Sequence, residues 1–315
     1  MLVEGEWKTE RQQEDEEGRF VRPSTTFRSF VTADGSSGYK AEPDRYHLYI
    51  SWACPWAHRT AILRKLKGLE EAISLSVLHP VMGEEGWAFS DAYPDQLNDA
   101  SYLSEIYTKA DKEYTGRVTT PILWDKKEET IVNNESRDIM RMLDTEFEAF
   151  TKESANFYPE GLREEIDRTL DELYEPVNNG VYRAGFATEQ DAYEEAVTEL
   201  FEALDRWEGV LSGRRYLCGD RTTEADWAFF TTLVRFDPVY HYHFKCNLRR
   251  VVDYPNLWGY LKDLYQRPGV AETVDFDHIK RHYYVSHDSI NPTGIVPKGP
   301  ILNHDEPHER ERLFG

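Results

Sequence analysis

The sequence has few cysteines, and the one with the most informative surroundings has no second thiol beside it. Only Cys54, Cys218 and Cys246 occur in 315 residues. Three cysteines do not make a disulfide framework, so we expect a reducing, cytoplasmic setting. Cys54 is followed three positions later by Ala57, which excludes a dithiol redox site of the Cys-x-x-Cys type. If Cys54 accepts a sulfur-bound group, an external thiol must remove it.

Long apolar runs and an excess of positive charge are also missing. No run of about 18 apolar residues occurs, so no transmembrane helix is expected, and the acidic, polar stretch from Met1 to Gly18 does not fit a signal peptide. Asp and Glu total 58 against 37 Lys and Arg, a net charge of −21. We therefore expect neither a membrane nor a nucleic-acid partner. The charge suggests a surface selected for solubility in high salt, and hence a halophilic source.

The most informative stretch of the sequence is an aromatic run that leads into a Cys-Pro pair. Tyr46 to Ile50 has the pattern of a buried strand, and helical spacing follows Cys54-Pro55. Because proline is tolerated in the first turn of a helix, Cys54 should lie at a helix N-terminus. The helix dipole and free N–H groups there favour a thiolate, whose pKa can fall to roughly 3.5–7.5. The alternative is a small, buried, apolar cysteine.

Composition and periodicity divide the chain into four parts. The first is an irregular arm that packs on the body through Phe20, Phe27 and Phe30, although its first fifteen or so residues could instead be a solvated tail. An α/β unit and an all-helical unit follow, and the last part is a tail rich in Pro, Gly and His. The predicted boundaries are 1–45, 46–150, 151–282 and 283–315.

Within the α/β unit, the alternation of Ile73 to Leu78 predicts a strand. The long connection over 79–115 indicates a functional segment or an insertion. Val118 to Asp125 predicts another strand, and Pro121 inside it indicates an edge position and a possible cis peptide. Ser136 and the polar residues before it predict a helix start.

This order of elements resembles the glutathione transferase superfamily, in which a thioredoxin-like domain precedes an all-helical domain. Five motifs in combination narrow the resemblance to the xi class, the glutathionyl-hydroquinone reductases, over about residues 20–295. The motifs are Trp52 to Arg59, Arg117 to Asp125, Asn133 to Ser136, Asn178 to Ala187 and His278 to Tyr284.

The resemblance implies a glutathione-dependent reduction and a homodimer. Cys54 would attack the sulfur of a glutathionyl-hydroquinone, the hydroquinone would leave, and a second glutathione would regenerate the thiol. Tyr182 would be the proton donor or acceptor for the leaving ring. Tyr240 and Tyr283 would form hydrogen bonds in the pocket and favour the Cys54 thiolate.

The same resemblance implies the residues that bind glutathione. The Val118 backbone would pair with the tripeptide as an added strand does. Ser136 would meet the γ-glutamyl carboxylate, and Glu135 would accept from the ammonium group. Alternatively, Glu135 and Ser136 are a helix cap and Arg117 is a solvated charge. The full implied set is Trp87, Arg117, Val118, Thr119, Thr120, Glu135 and Ser136.

Some features leave alternatives open. Thr120 stands where the family more often has an apolar residue, and we expect this change to be tolerated. In a halophilic archaeon the thiol could be γ-glutamylcysteine instead of glutathione. The chain could also be a broader thiol transferase that reduces dehydroascorbate or mixed disulfides, or a non-catalytic binding module. Histidine pairs such as His278 and His282 have no further ligands nearby in sequence, so we expect no metal.

Overall fold

The computed structural model describes residues 1–9, 14–153 and 155–314. Short strands lie in the N-terminal arm, and longer ones form the sheet of the α/β unit. The strands are β1 Leu2–Val3, β2 Glu6–Trp7, β3 Val31–Thr32, β4 Tyr39–Lys40, β5 Tyr46–Ile50, β6 Ile73–Val77, β7 Ile122–Asp125 and β8 Thr130–Asn133.

Helices dominate the second half of the chain. Two π-helical turns, Tyr174–Asn178 and Phe236–Tyr240, interrupt the helical half. The helices are α1 Pro55–Leu66, α2 Leu103–Ala110, α3 Ser136–Thr145, α4 Arg163–Leu173, α5 Gly180–Gly185, α6 Gln190–Gly213, α7 Glu224–Arg235, α8 His241–His243, α9 Pro255–Tyr265, α10 Phe276–Ser286 and α11 Arg310–Phe314. Single 3₁₀ turns lie at Glu148–Phe150, Glu160–Leu162, Val251–Asp253 and Ala271–Thr273.

The main sheet has the strand order β6-β5-β7-β8, with β5 parallel to β6 and the other pairs antiparallel. Every residue of β5 is buried, because both faces of the sheet are covered. Leu48 packs in the core with Ile62 of α1 and Ile139 of α3, whereas Tyr49 faces the core that contains Ile106 of α2. The prediction of a buried strand before Cys54 is confirmed.

The predicted strand over Val118 to Asp125 is shorter in the structure. The strand begins at Ile122, and Pro121 precedes it in a cis peptide bond with Thr120, as the sequence suggested. The predicted edge position is wrong, because β7 lies between β5 and β8. Since Pro121 stands before the first paired residue, its missing N–H removes no bond from the ladder.

The connection over 79–115 contains a helix that the sequence pattern did not predict. This helix, α2, places Leu103, Ile106 and Tyr107 in the core on the second face of the sheet. The strand Ile73–Val77 before it agrees with the prediction. Because the helix has only two turns, its apolar pattern covers too few residues to be recognised in the sequence. The helix becomes evident only from its tertiary packing.

The N-terminal arm is attached to the α/β unit from its first residues. Leu2 is buried and exchanges two main-chain hydrogen bonds of 3.0 Å with Gly116. Phe20, Phe27 and Phe30 all pack against the body, as predicted. The solvated-tail alternative is therefore wrong for residues 1–9, while residues 10–13 lie outside the described part.

The helical half follows the apolar spacing of the sequence. Asp226 accepts hydrogen bonds from both the main-chain N–H and the hydroxyl of Thr223, which forms a capping box at the start of α7. The expected start of the tail at residue 283 falls inside α10. In the described residues, no helix is both long enough and apolar enough to cross a membrane.

The C-terminal tail returns to the helical half. His304 is buried among the rings of Trp258, Tyr265 and Phe276. Arg310 donates to main-chain carbonyls near the end of α6, at 2.9 Å from Leu211 O. These contacts tie the end of the chain to α6 and α9.

Candidate active site

Cys54 stands at the N-cap of α1, and Pro55 occupies the first turn. This is the strand-to-helix position that the sequence predicted. The thiol is half-buried and donates to the carbonyl of Thr120 at 3.4 Å. The Sγ atom therefore faces the loop that precedes β7.

A cavity of about 710 Å³ lies beside this thiol. Its wall combines the arm, the α/β unit and α10. With the exception of Tyr240, the structure brings every predicted site residue to this wall. These residues are Cys54, Trp87, Arg117, Val118, Thr119, Thr120, Glu135, Ser136, Tyr182 and Tyr283.

Three buried tyrosines from separate helical segments meet through their hydroxyls. Tyr283 Oη lies 2.6 Å from Tyr182 Oη and 3.1 Å from Tyr240 Oη. Tyr240 forms the expected hydrogen bond with Tyr283, but it does not itself line the cavity. Its ring is fully buried and stacks on Phe244 at 5.6 Å, and it adjoins the rings of two residues that line the cavity, Tyr283 and Tyr182.

The local backbone explains how two of these tyrosines are presented. Tyr240 ends the π-helical turn that contains Pro238, and Tyr182 lies on α5, just after the π-helical turn that contains Pro176. Proline has no N–H to donate within a helix, so one main-chain hydrogen bond is already missing at that position. Widening the turn there therefore sacrifices less main-chain hydrogen bonding than it would at another residue. Such turns are frequent at functional sites.

Burial sets the protonation of the three phenols. It raises the pKa of Tyr182, Tyr240 and Tyr283 above the ordinary value for tyrosine. Near neutral pH each hydroxyl therefore keeps its proton. In this state the group can donate a proton or a hydrogen bond, which favours the donor role over the acceptor role for Tyr182.

Glu135 and Ser136 stand where β8 passes into α3. Glu135 caps the helix by accepting from Arg137 N–H at 3.3 Å, and it also accepts from the Thr25 hydroxyl at 3.2 Å. The hydroxyl of Ser136 accepts from Arg59 Nε at 3.1 Å. Both residues also line the cavity. The helix-cap interpretation is therefore compatible with a binding role for Glu135 and Ser136.

The segment before β7 contributes four consecutive residues, 117–120, to the cavity wall. Tyr107 Oη donates to Thr119 O at 2.9 Å and accepts from Thr119 N at 3.2 Å. No hydrogen bond joins the Val118 main chain to any other residue in the described part of the chain. Thr120 is buried and donates its hydroxyl to Tyr49 O at 3.0 Å. That bond explains why the structure accommodates a polar residue at position 120.

Comparison with known proteins identifies the family. The glutathione S-transferase N-terminal domain model matches residues 53–146, and the C-terminal domain model matches residues 190–263. The chain is 52% identical to the glutathionyl-hydroquinone reductase YqjG of Escherichia coli, over 100% of this chain and 99% of that protein. It is 54% identical to the xi-class structure from Natrialba magadii, with a TM-score of 0.94, over 99% and 97% of the two chains. The chain belongs to the xi class of glutathione transferases.

Other xi-class relatives extend the comparison. The glutathionyl-hydroquinone reductase PcpF of Sphingobium chlorophenolicum is 52% identical, over 95% of this chain and 96% of that protein. The glutathione-bound structure of E. coli YqjG superposes with a TM-score of 0.91 at 51% identity, over 99% of both chains. The predicted fold, a thioredoxin-like domain followed by an all-helical domain, is confirmed.

The electrostatics of the xi-class cysteine differ from the prediction. Burial raises the pKa of the Cys54 thiol above its ordinary value, although the N–H groups of Ala57 and Trp56 and the charge of Arg235 act to lower it. The prediction of a lowered thiol pKa is wrong in this structure. The helix N-terminus supplies the donors that were expected, but the loss of water around the sulfur outweighs them.

Arg235 is a residue of this xi-class site that the sequence reasoning missed. Its guanidinium is fully buried and donates to Trp52 O at 2.6 Å and to Ala53 O at 2.8 Å. A third donor contacts His58 Nδ1 at 3.1 Å. The available signal was a single cation at the end of the apolar run that starts at Trp227.

Sequence reasoning also missed several residues around the cysteine. Arg59 lies in the Cys-Pro motif itself, and its position little more than one helical turn after Cys54 was a usable signal. Phe20, Trp56, Phe186 and Arg22 also line the cavity. Trp56 and Phe186 lie within two of the quoted motifs, which was a usable signal, whereas no sequence pattern indicates a site role for Arg22.

The histidines considered as metal ligands have other contacts. His278 Nε2 lies 3.2 Å from Ser51 Oγ, and His282 stacks on Trp87 with ring centroids 4.7 Å apart. His243 Nε2 lies 3.1 Å from His287 Nδ1. Within the described ranges, no group of three or more His, Cys, Asp or Glu side chains could hold a metal ion.

Proposed function

We propose that this chain is a glutathionyl-hydroquinone reductase, which uses glutathione and Cys54 to convert glutathionyl-hydroquinones to hydroquinones. The observation that carries the proposal is the shared cavity. The thiol of Cys54 at the start of α1 and the protonated pair Tyr182 and Tyr283 line the same cavity as Val118. The Val118 main chain forms no hydrogen bond with the described part of the chain. Relatives that are 52% identical over nearly their whole length have this activity in their names.

The thiol half of the site would hold the tripeptide. The Val118 main chain would pair with its backbone, as in strand addition. Glu135 would accept from its ammonium group, and Ser136 at the start of α3 would meet its γ-glutamyl carboxylate. Trp87, Arg117, Thr119 and Thr120 would complete the binding wall.

The first chemical step would form a mixed disulfide. The Cys54 thiolate would attack the glutathione sulfur of the conjugate, forming an S–S bond and breaking the bond between that sulfur and the ring carbon. The electron pair of the broken bond would stay on the ring carbon, which takes up a proton. Cys54 is thereby oxidised to the mixed disulfide, and the ring is reduced to the hydroquinone.

Tyr182 would supply that proton. Tyr182 lines the cavity, and its hydroxyl lies 2.6 Å from that of Tyr283. A phenolate formed on Tyr182 would accept a hydrogen bond from Tyr283, which is itself supported by Tyr240 at 3.1 Å. A donor with a high pKa is costly to deprotonate, and this hydrogen-bonded chain lowers that cost.

The second step would restore the enzyme. A second glutathione thiolate would attack the glutathione sulfur of the mixed disulfide, releasing oxidised glutathione and the Cys54 thiolate. The sequence has no resolving cysteine beside Cys54, and Cys218 and Cys246 are buried elsewhere. The external thiol therefore has to complete the cycle.

Intact-mass measurement after incubation with a glutathionyl-hydroquinone tests the proposal. We expect a glutathione adduct on the protein together with release of the free hydroquinone. Turnover with mixed disulfides or dehydroascorbate alone would indicate the broader thiol transferase, and an inert protein would indicate a binding module. Cys54→Ser should abolish the adduct, whereas Cys218→Ser, at a buried cysteine away from the cavity, should retain it.

Four further features belong to this proposal: a homodimer, a cytoplasmic site of action, a halophilic source and the division of the chain into an arm, an α/β unit, an all-helical unit that extends to the end of α10, and a tail. Sedimentation tests the dimer, and unfolding midpoints across a salt series test the halophilic surface. A midpoint that is highest in dilute buffer would contradict the halophilic source. Parallel assays with glutathione and γ-glutamylcysteine would decide which thiol the site prefers.

A further inference from the structure

Arg22 of the N-terminal arm lies in an aromatic setting at the wall of the cavity. Its guanidinium carbon is 5.1 Å from the ring centroid of Phe20, 5.1 Å from that of Trp56 and 4.9 Å from that of Tyr182. Contacts with three rings hold the guanidinium in place and exclude water from part of its surface. The arm thus brings a fixed positive charge to the site.

Most of the hydrogen-bonding capacity of this guanidinium is not used within the protein. Its Nε–H donates to Asn179 Oδ1 at 2.8 Å. Across the described ranges, no carboxylate forms an ion pair with Arg22, although the chain contains 58 acidic residues. An arginine presents five N–H donors in a planar fork that suits an oxyanion, so the outer edge of Arg22 can bind one.

The position of Arg22 relates it to the acceptor half of the reaction. It lines the same cavity as Cys54 and Tyr182. Its charge acts on both of them, lowering the pKa of the thiol and of the phenol against the stronger effect of burial. Apart from Trp87, the residues assigned to the tripeptide come from the loop before β7 and from the start of α3. Arg22 contacts the ring of Tyr182, the residue assigned to the leaving ring, and so adjoins the place of the aromatic ring.

We infer that Arg22 forms an anion subsite for the aromatic half of the substrate, and that the enzyme favours hydroquinones that carry an anionic oxygen such as a ring carboxylate. This inference rests on the proposed function for the identity of the aromatic ligand. The supporting geometry is the ring-packed guanidinium, its single protein hydrogen bond and its place on the cavity wall.

Equilibrium binding tests the subsite without requiring turnover. The two probes are 2,5-dihydroxybenzoate and hydroquinone, which differ only in the ring carboxylate, and the measurement is titration calorimetry on the full chain. We expect the wild type to bind the benzoate more tightly. Arg22→Met should weaken benzoate binding by roughly tenfold to a hundredfold, the range for a lost charge-assisted hydrogen bond, and leave hydroquinone binding almost unchanged.

Two further variants make the result specific. Arg22→Lys keeps the charge without the fork and should recover part of the preference. Arg28→Met removes another arm cation, one that pairs with Asp138 away from the cavity, and should change neither affinity. Equal weakening of both ligands in Arg22→Met, or a preserved preference for the benzoate, would overturn the subsite. Hydroquinone release in the intact-mass assay separately decides the proposed function.

Discussion

Arg235 Nε donates a hydrogen bond of 2.8 Å to the carbonyl of Ala53, the residue directly before Cys54. This contact joins the end of α7 to the loop that presents the thiol. The same guanidinium meets Trp52 O and His58 Nδ1. A single buried cation thus positions the cysteine loop and places a positive charge near the sulfur.

Arg235→Lys should weaken both functions of this residue. An ammonium group cannot reproduce the planar fork, so the carbonyls of Trp52 and Ala53 lose charge-assisted bonds. We expect a fall of about 2–4 kcal/mol in the free energy of unfolding. Alkylation of Cys54 should also shift to higher pH. Arg221→Lys, at an exposed arginine that donates to Asn156 O, is the matched control. A variant with unchanged stability and reactivity would contradict the positioning role.

The alkylation rate of Cys54 should depend strongly on pH. The thiolate is the reactive form, and burial raises the pKa of this thiol, so the rate should rise roughly tenfold per pH unit well past neutrality. Site-resolved mass spectrometry with iodoacetamide measures it, and Cys54→Ser provides the blank. A rate that is already level near neutral pH would show that the helix N-terminus prevails over burial.

Tyr182→Phe should affect quinol release more than thiol exchange. Loss of a general acid lowers the rate by roughly a hundredfold or more, so we expect this decrease in kcat with a glutathionyl-hydroquinone. Reduction of a glutathione mixed disulfide should continue, since its leaving thiolate needs no proton on a ring carbon. Tyr242→Phe changes a tyrosine that is 73% exposed and should leave both rates intact. Equal losses with both substrates would remove the assigned role.

Stability should fall on acidification below about pH 6.5, the ordinary pKa of histidine. Burial lowers the pKa of His47, His243 and His304 to about 4 and that of His278 to about 3. Between these values the unfolded chain binds protons that the native state does not, so unfolding becomes easier as the pH falls.

Urea unfolding over this pH range measures the effect. His304→Gln should reduce the slope of stability against pH by about one proton, close to 1.4 kcal/mol per pH unit. His241→Gln, at a side chain that is only half-buried, is the control. The slope is the readout, because losing the ring of His304 will also lower stability uniformly. An unchanged slope would mean that another group is responsible for the acid sensitivity.

Much of the fold could be predicted from local patterns. The continuous apolar run of β5 and the Cys-Pro start of α1 are encoded within a dozen residues, and both were predicted correctly. The short helix α2 was missed because two turns give too little periodicity. Pro121 was assigned to an edge because the sequence does not show where the strand begins relative to the proline.

The sequence by itself determined that Cys54 begins a helix and has no neighbouring thiol to resolve a disulfide, since these are properties of adjacent residues. Only the tertiary structure decided that Tyr240 adjoins Tyr283 without lining the cavity, that Arg235 binds the cysteine loop and that Arg22 enters the cavity. It also decided the direction of the thiol pKa. Desolvation depends on which residues, distant in the sequence, pack over a group in the folded chain. No local sequence pattern shows which residues these are.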